Sequence, residues 1–172
     1  MALTQLRAGA FPSGSVVQTQ VTTKTDSFSS SSSSTAYEDI TGLSVSITPS
    51  STSNKILIVL SLGFSINPSG HGDFKILRGS TDIQLPTVVG NRISAHGHTY
   101  GATSYNDHYD VDAMVVQLLD SPSTTSSTTY KVQVGTPNSA GYVIHVNTTG
   151  EDSNNNYNGR TVSTITAMEI KG

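Results

Sequence analysis

The most specific chemical signal in the sequence is a pair of histidines separated by one glycine, His96-Gly97-His98. If this segment is an extended strand, the two side chains point to one face, because side chains alternate along a strand. Imidazoles are ligands for iron, zinc, nickel and copper. In a trimer, three such pairs could hold one transition-metal ion on the three-fold axis. The alternative is a glycine-flanked polar loop with two solvated imidazoles, in which case no cofactor is expected.

The same region contains residue types that recognise sugars and protein surfaces. It belongs to an irregular segment, 86–110, and connections longer than about 15 residues are uncommon and usually functional. Tyrosine provides rigid, amphipathic contact area, and asparagine offers hydrogen bonds suited to sugar hydroxyls. These side chains form either a ligand- or receptor-binding surface or a cap over one end of the fold. The candidate binding residues are Asn91, Tyr100, Tyr105, Asn106 and Tyr109.

Other polar residues lie close enough in sequence to extend such a site. His71, His108 and the acids Asp73, Asp107, Asp110 and Asp112 are of this kind. Ser104 near the Asp107-His108 pair gives an acid, a base and a hydroxyl, but a catalytic triad is defined by geometry, and neighbours in sequence rarely form one. The aspartates could bind calcium, although their spacing fits no EF-hand loop. We therefore expect no catalytic residue.

The elements that must position these residues are β-strands, and the clearest one is the stretch 54–67. Its even positions from Ile56 to Ile66 are all apolar, which is the mark of a strand with one face on a core. Its odd positions are apolar at Leu57 and Val59 and then small or polar. This pattern predicts a long central strand whose first half is apolar on both faces.

Similar alternation predicts strands on both sides of it. They are expected at 15–23, 37–40, 43–48, 74–78, 82–85, 111–119, 130–134, 142–146 and 160–170. The segments 74–78 and 82–85 form one hairpin, and 142–146 is expected to pair back onto 130–134. So many strands without a convincing helix predict an all-β fold, an antiparallel two-sheet sandwich, and we favour a jelly roll. The domain is expected to span 15–172 behind an N-terminal arm, 1–14.

Composition narrows the function classes. Charged residues make up only 12 % of the 172-residue chain, the net charge is −3, and there is no cysteine. The absence of a basic run disfavours nucleic-acid binding, and no apolar run is long enough to predict membrane insertion. The N-terminus lacks the apolar region of a signal peptide. Apolar residues on both faces of 111–119 need a partner to cover the second face, so we expect a homotrimer.

Several stretches resemble a widespread group of small bacteriophage virion domains. They are 14–18 (GSVVQ), 22–26 (TTKTD), 41–49 (TGLSVSITP), 53–58 (SNKILI) and 163–170 (STITAMEI). The likeness is to domains of tail fibres and virion surface proteins of marine and cyanobacterial phages. It covers the first third of the chain and the last strand, and it is weak over 86–110. The resemblance implies a trimeric jelly roll similar to the tumour-necrosis-factor and complement-C1q type, and it supplies no catalytic residue.

Together these observations predict a non-enzymatic virion protein on the phage particle surface, made in the bacterial cytoplasm without a signal peptide. Its arm would contact other virion proteins, and its 86–110 segment a host-surface glycan or a neighbour. It could belong to a tail fibre or similar appendage, or be a capsid decoration protein. A second alternative is a metal- or carbohydrate-binding jelly-roll enzyme similar to cupins, but no glutamate lies near a histidine in the sequence.

Overall fold

A computed structural model describes residues 11–30, 36–67, 70–101, 109–137 and 141–172. These ranges form two antiparallel β-sheets and contain no α-helix, as expected from the alternating patterns. None of their elements is a helix long and apolar enough to cross a membrane. The predicted arm lies mostly outside the described residues.

Apart from the short strands β2 and β7, which no predicted segment covers, the strands lie close to the predicted segments, with some differences in length. In chain order they are β1 (Val16–Lys24), β2 (Phe28–Ser29), β3 (Glu38–Ile47), β4 (Lys55–Ile66), β5 (His71–Arg78), β6 (Thr81–Asp82), β7 (Gly97–Tyr100), β8 (Asp112–Asp120), β9 (Thr128–Gly135), β10 (Ile144–Val146) and β11 (Ser163–Ile170).

Sheet A is built around β4, the predicted central strand. One edge of β4 pairs with β11 and then with β10, and its other edge pairs with β8. Strand β1 lies outside β11, and β2 lies outside β10. The four long strands therefore follow the order β1-β11-β4-β8 across the sheet.

Sheet B has the order β3-β9-β5, and the far edge of β5 is shared by two short strands, β7 and β6. The register between β3 and β9 shifts between Asp39 and Ser44, so the two segments predicted at 37–40 and 43–48 are one irregular strand. The predicted hairpin at 74–85 is present, with Leu77 opposite Asp82.

The core lies between the two sheets. The even-numbered side chains of β4 face it, and Ile56, Ile58, Leu60, Leu62 and Phe64 are completely buried. Sheet B contributes Phe74, Ile76, Tyr130, Val132 and Val134, which are also completely buried. Burial of such a side chain stabilises the fold by about 1.5–3 kcal/mol, so this double layer is the main source of stability.

Three predictions about local structure are wrong. Strand β10 pairs with β4 and β2 and not with β9, because the end of β4 extends beyond β11 and leaves an edge to be paired. The 86–110 segment is not wholly irregular, since it contains β7. Strand β5 also begins at His71, in a stretch whose Pro and Gly content predicts a turn.

Candidate functional site

The pairing of β5 with β7 creates a polar cluster on the outer face of sheet B. In this register Asp73 lies opposite His98, and His71 lies opposite Tyr100. The intervening residues Gly72 and Thr99 belong to the inward-facing positions, because side chains alternate along both strands. The antiparallel pairing thus brings one histidine of each strand, a carboxylate and a tyrosine to one face.

Asp73 and His98 form the centre of this cluster. The Asp73 side chain is completely buried, and its Oδ1 accepts a hydrogen bond of 2.7 Å from Nδ1 of His98, whose side chain is half exposed. Burial raises the pKa of Asp73, opposed by the hydrogen bond and charge of His98. Since the carboxylate holds the proton on Nδ1, the Nε2 lone pair of His98 points away from Asp73.

The second oxygen of Asp73, Oδ2, is buried and has no hydrogen-bond partner among the described residues. Tyr37 contributes to this burial: its ring lies so close to Gly135, the neighbour of Asp73 on β9, that a Cβ at Gly135 would be 3.1 Å from it. Burial, together with the nearby Asp73 charge, raises the pKa of Tyr37. A carboxylate enclosed in this way favours a positive group nearby.

His71 completes the row. Its Nδ1 lies 3.4 Å from Nε2 of His98, and the two ring centroids are 5.4 Å apart. On its other side, the ring of Tyr100 lies 4.7 Å from the His71 ring. The three aromatic rings therefore form a continuous, partly exposed row along the end of the sheet.

His71 and His98 of this row line a cleft of about 370 Å³. The other wall comes from the segment between β6 and β7, where Arg92 is fixed by a hydrogen bond of 2.8 Å to the carbonyl oxygen of Val89. The cleft combines imidazoles, a buried carboxylate, an amide and a guanidinium, a set that suits a polar or ionic ligand. Its lining residues are His71, Asp73, Asn91, Arg92, Ile93, Ala95, Gly97 and His98.

His96 occupies a different position from His98. It lies at the edge of β5 between β7 and β6, where its Nδ1 accepts a hydrogen bond of 2.9 Å from the backbone N–H of Ile76. Its Nε2 donates to the carbonyl oxygen of Ile83 at 2.8 Å. The imidazole thus makes hydrogen bonds that the backbone of a neighbouring strand would otherwise make at this part of the edge. Burial lowers its pKa, despite the opposing effect of the Ile83 hydrogen bond.

The predicted metal pair, His96 and His98, stays a prediction. In this structure metal binding to His96 would break a hydrogen bond to the backbone at either nitrogen. Within the described ranges, no group of three or more His, Cys, Asp or Glu side chains is placed to hold a metal ion.

The predicted binding residues are only partly brought together. Asn91 lines the cleft, and Tyr100 packs against His71 at its edge. Tyr109 instead packs against Tyr157, at 5.9 Å between ring centroids. Tyr105 and Asn106 lie outside the described residues.

Arg92 was not among the predicted residues, and a lone arginine in a loop gives no sequence signal for a site.

The outer face of sheet A has the opposite character. Three rows of side chains cross β1, β11, β4 and β8, and none of the twelve residues is charged. Val21, Val115 and Leu119 are exposed by 57 %, 62 % and 43 %. From β1 to β8 the rows are Thr19, Met168, Leu57 and Leu119; Val21, Thr166, Val59 and Gln117; and Thr23, Thr164, Ser61 and Val115.

Comparison with known proteins adds no assignment. No protein-family model matches the sequence, and no curated protein matches it.

Proposed function

We propose that this chain is a non-enzymatic structural module of a bacteriophage virion, which assembles as a homotrimer and binds through its exposed end. The virion assignment comes from the sequence resemblance of 14–58 and 163–170. The observation that carries the assembly part of the proposal is the set of three uncharged central rows on the outer face of sheet A, which expose Val115, Leu119 and Val21 to solvent in the single chain.

Strand pairing supports a jelly roll as the finer description of the fold. Among the eight principal strands, the first pairs with the last, β1 with β11. The second pairs with the seventh, β3 with β9, the third with the sixth, β4 with β8, and the fourth with the fifth, β5 with β7. Such nested pairing is what results when one long antiparallel hairpin wraps into two sheets.

The outer face of sheet A supports self-association because its three central rows lack the charged side chains that favour exposure to water. The solvated face of an antiparallel sheet is normally polar, and contiguous apolar patches on it indicate an interaction site. A second and third copy of the same chain are the proposed occupants. The uncharged central rows do not repel identical rows of another copy, and closed cyclic symmetry covers them in every subunit.

Two alternatives within the virion class remain as proposals. A module at the end of a tail fibre should bind host cells, and the cleft between Asn91 and Tyr100 is the surface that we propose for a host-surface glycan. A capsid decoration protein should bind capsids regardless of the host. A metal- or carbohydrate-binding enzyme on the same scaffold is a third candidate, which the cleft chemistry favours over other enzyme classes.

The experiment is a native mass measurement over a range of protein concentrations. We expect three times the chain mass of 18.0 kDa. The double variant Val115→Lys and Leu119→Lys should run as a monomer, because lysines would be buried without partners in the trimer. The matched control is Val89→Lys, which changes a valine that is 71 % exposed outside this face and should remain trimeric. A wild-type monomer at high concentration would refute the assembly.

A further inference from the structure

Two imidazole nitrogens face each other across the ends of β5 and β7, and a buried carboxylate lies behind one of them. We propose that Nδ1 of His71 and Nε2 of His98 bind one divalent transition-metal ion, with Asp73 as a positioning residue that orients His98. This site differs from the His96-Gly97-His98 pair and does not depend on trimer formation.

The separation of the two nitrogens matches the distance that a metal ion requires. Zinc–imidazole bonds are about 2.0–2.1 Å long, so two nitrogens on a tetrahedral ion lie about 3.4 Å apart. His71 Nδ1 and His98 Nε2 are 3.4 Å apart. The same distance is at the long limit for an N–H···N hydrogen bond, whose usual length is about 3 Å.

The orientation of the rings agrees with this assignment. The centroids are 5.4 Å apart, which is about 2 Å more than the distance between the nitrogens. The two nitrogens therefore lie on the facing edges of the rings, and their in-plane lone pairs are directed into the space between them and not above a ring face. Coordination uses these lone pairs.

Asp73 supplies the feature that most distinguishes a metal-binding histidine from a solvated one. Ligating histidines usually donate their other ring N–H to a carboxylate, which fixes the tautomer and makes the ligating nitrogen more basic. His98 donates from Nδ1 to Asp73 in this way, at 2.7 Å. A cation on Nε2 would also place a positive charge near the fully buried carboxylate of Asp73.

The remaining coordination positions open into the cleft. The described residues supply two nitrogen ligands, and the cleft of about 370 Å³ leaves room for water to complete the coordination sphere. Nitrogen ligands of this kind favour Cu²⁺, Ni²⁺ and Zn²⁺ over Mg²⁺ and Ca²⁺, and affinity should be highest for Cu²⁺.

The test is calorimetric titration of the full chain with CuCl2, NiCl2, ZnCl2 and, as the negative probe, MgCl2. We expect one transition-metal ion per chain and no heat of binding for Mg²⁺. The variants His71→Ala and His98→Ala should each lower the affinity at least tenfold. Asp73→Asn should lower it about 10–100-fold without changing the stoichiometry. Thr129→Ala, which changes an exposed residue of the same sheet that does not line the cleft, should change it less than threefold.

A second measurement does not depend on how the variants fold. In the wild type, Zn²⁺ should shift the ¹⁵N resonances of His71 Nδ1 and His98 Nε2 and leave those of His96 and His145 in place. Shifts at His96 or His145 in place of the proposed pair would overturn the site. So would the absence of binding at millimolar ion, a stoichiometry of one ion per two chains, or unchanged affinity in folded His71→Ala and His98→Ala.

Discussion

The outer faces of the two sheets differ in their content of charged side chains. In sheet B, Lys131 donates to the carboxylate of Asp39 at 2.8 Å, and the ammonium of Lys75 lies 4.2 Å from the centre of the Tyr37 ring. In sheet A, the three central rows contain no charged side chain. A face with internally paired charges is suited to water and to polar ligands, whereas a neutral, partly apolar face is suited to burial. This difference agrees with the two proposed roles, in which sheet A forms the subunit interface and sheet B binds the ligand.

The largest effect should come from placing the same charge on each face. Thr166 lies in the middle row of the sheet A face, and Thr129 is an exposed residue on the sheet B face. Thr166→Asp would bury an unpaired carboxylate in the proposed trimer, at a cost of several kcal/mol. We expect the association constant to fall at least about 100-fold, as measured by sedimentation equilibrium.

Thr129→Asp is the matched control for this comparison. It loses one hydroxyl contact of 2.7 Å to Ser46 on an exposed surface and should leave the trimer intact. Surface changes of this kind alter the free energy of unfolding by about 0.5 kcal/mol or less. If the two substitutions affected association equally, the distinction between the faces would be lost.

A smaller effect is expected on the free energy of unfolding, where the loss of His96 and the loss of His71 should differ. His96→Ala leaves the N–H of Ile76 and the carbonyl of Ile83 without their imidazole partner. Unsatisfied backbone groups cost about 1–3 kcal/mol each when buried, and water can reach this sheet edge, so we expect a loss of about 2 kcal/mol in urea unfolding. His71→Ala, on the outer face, should cost less than about 1 kcal/mol in metal-free protein. Equal losses would show that His96 is not a structural residue.

These two histidines also show how far the sequence could predict the molecule. Alternation of apolar residues predicted β4, β8, β9 and β11, because burial on one face of a strand is a local, period-two property. The structural role of His96 depends on a gap at the edge of β5 between β7 and β6. Only the tertiary pairing of these strands creates this gap. For the same reason the His71–His98 contact was not predicted: the residues are 27 positions apart and meet through strand register.

The pH dependence of the free energy of unfolding should reflect three buried side chains, His96, His145 and Asp73. Burial lowers the pKa of His96 and of His145 below 6.5, so the unfolded chain binds more protons just below that pH. The free energy of unfolding should therefore decrease as the pH falls from about 6.5. Asp73 has the opposite effect, because its raised pKa makes the folded state take up a proton first.

The histidine contribution can be isolated in an Asp73→Asn background. Urea unfolding at fixed protein concentration, from pH 8 to pH 5, should then show a decrease below about pH 6.5, and adding His96→Ala should make it shallower. A stability that is independent of pH over this range in the Asp73→Asn protein would contradict the burial of both imidazoles.

The smallest effect should come from the charged pair that distinguishes sheet B most visibly. Lys131 and Asp39 are partly exposed, with side-chain accessibilities of 26 % and 51 %, and such pairs contribute about 0.2–1 kcal/mol. Lys131→Ala should therefore lower the free energy of unfolding by less than about 1 kcal/mol, and 1 M NaCl should remove most of the difference from wild type. The variant should also keep the wild-type association state, because Lys131 lies on the face opposite to the proposed interface. A change in association would mean that the charges of sheet B take part in assembly and do not merely keep that face in water.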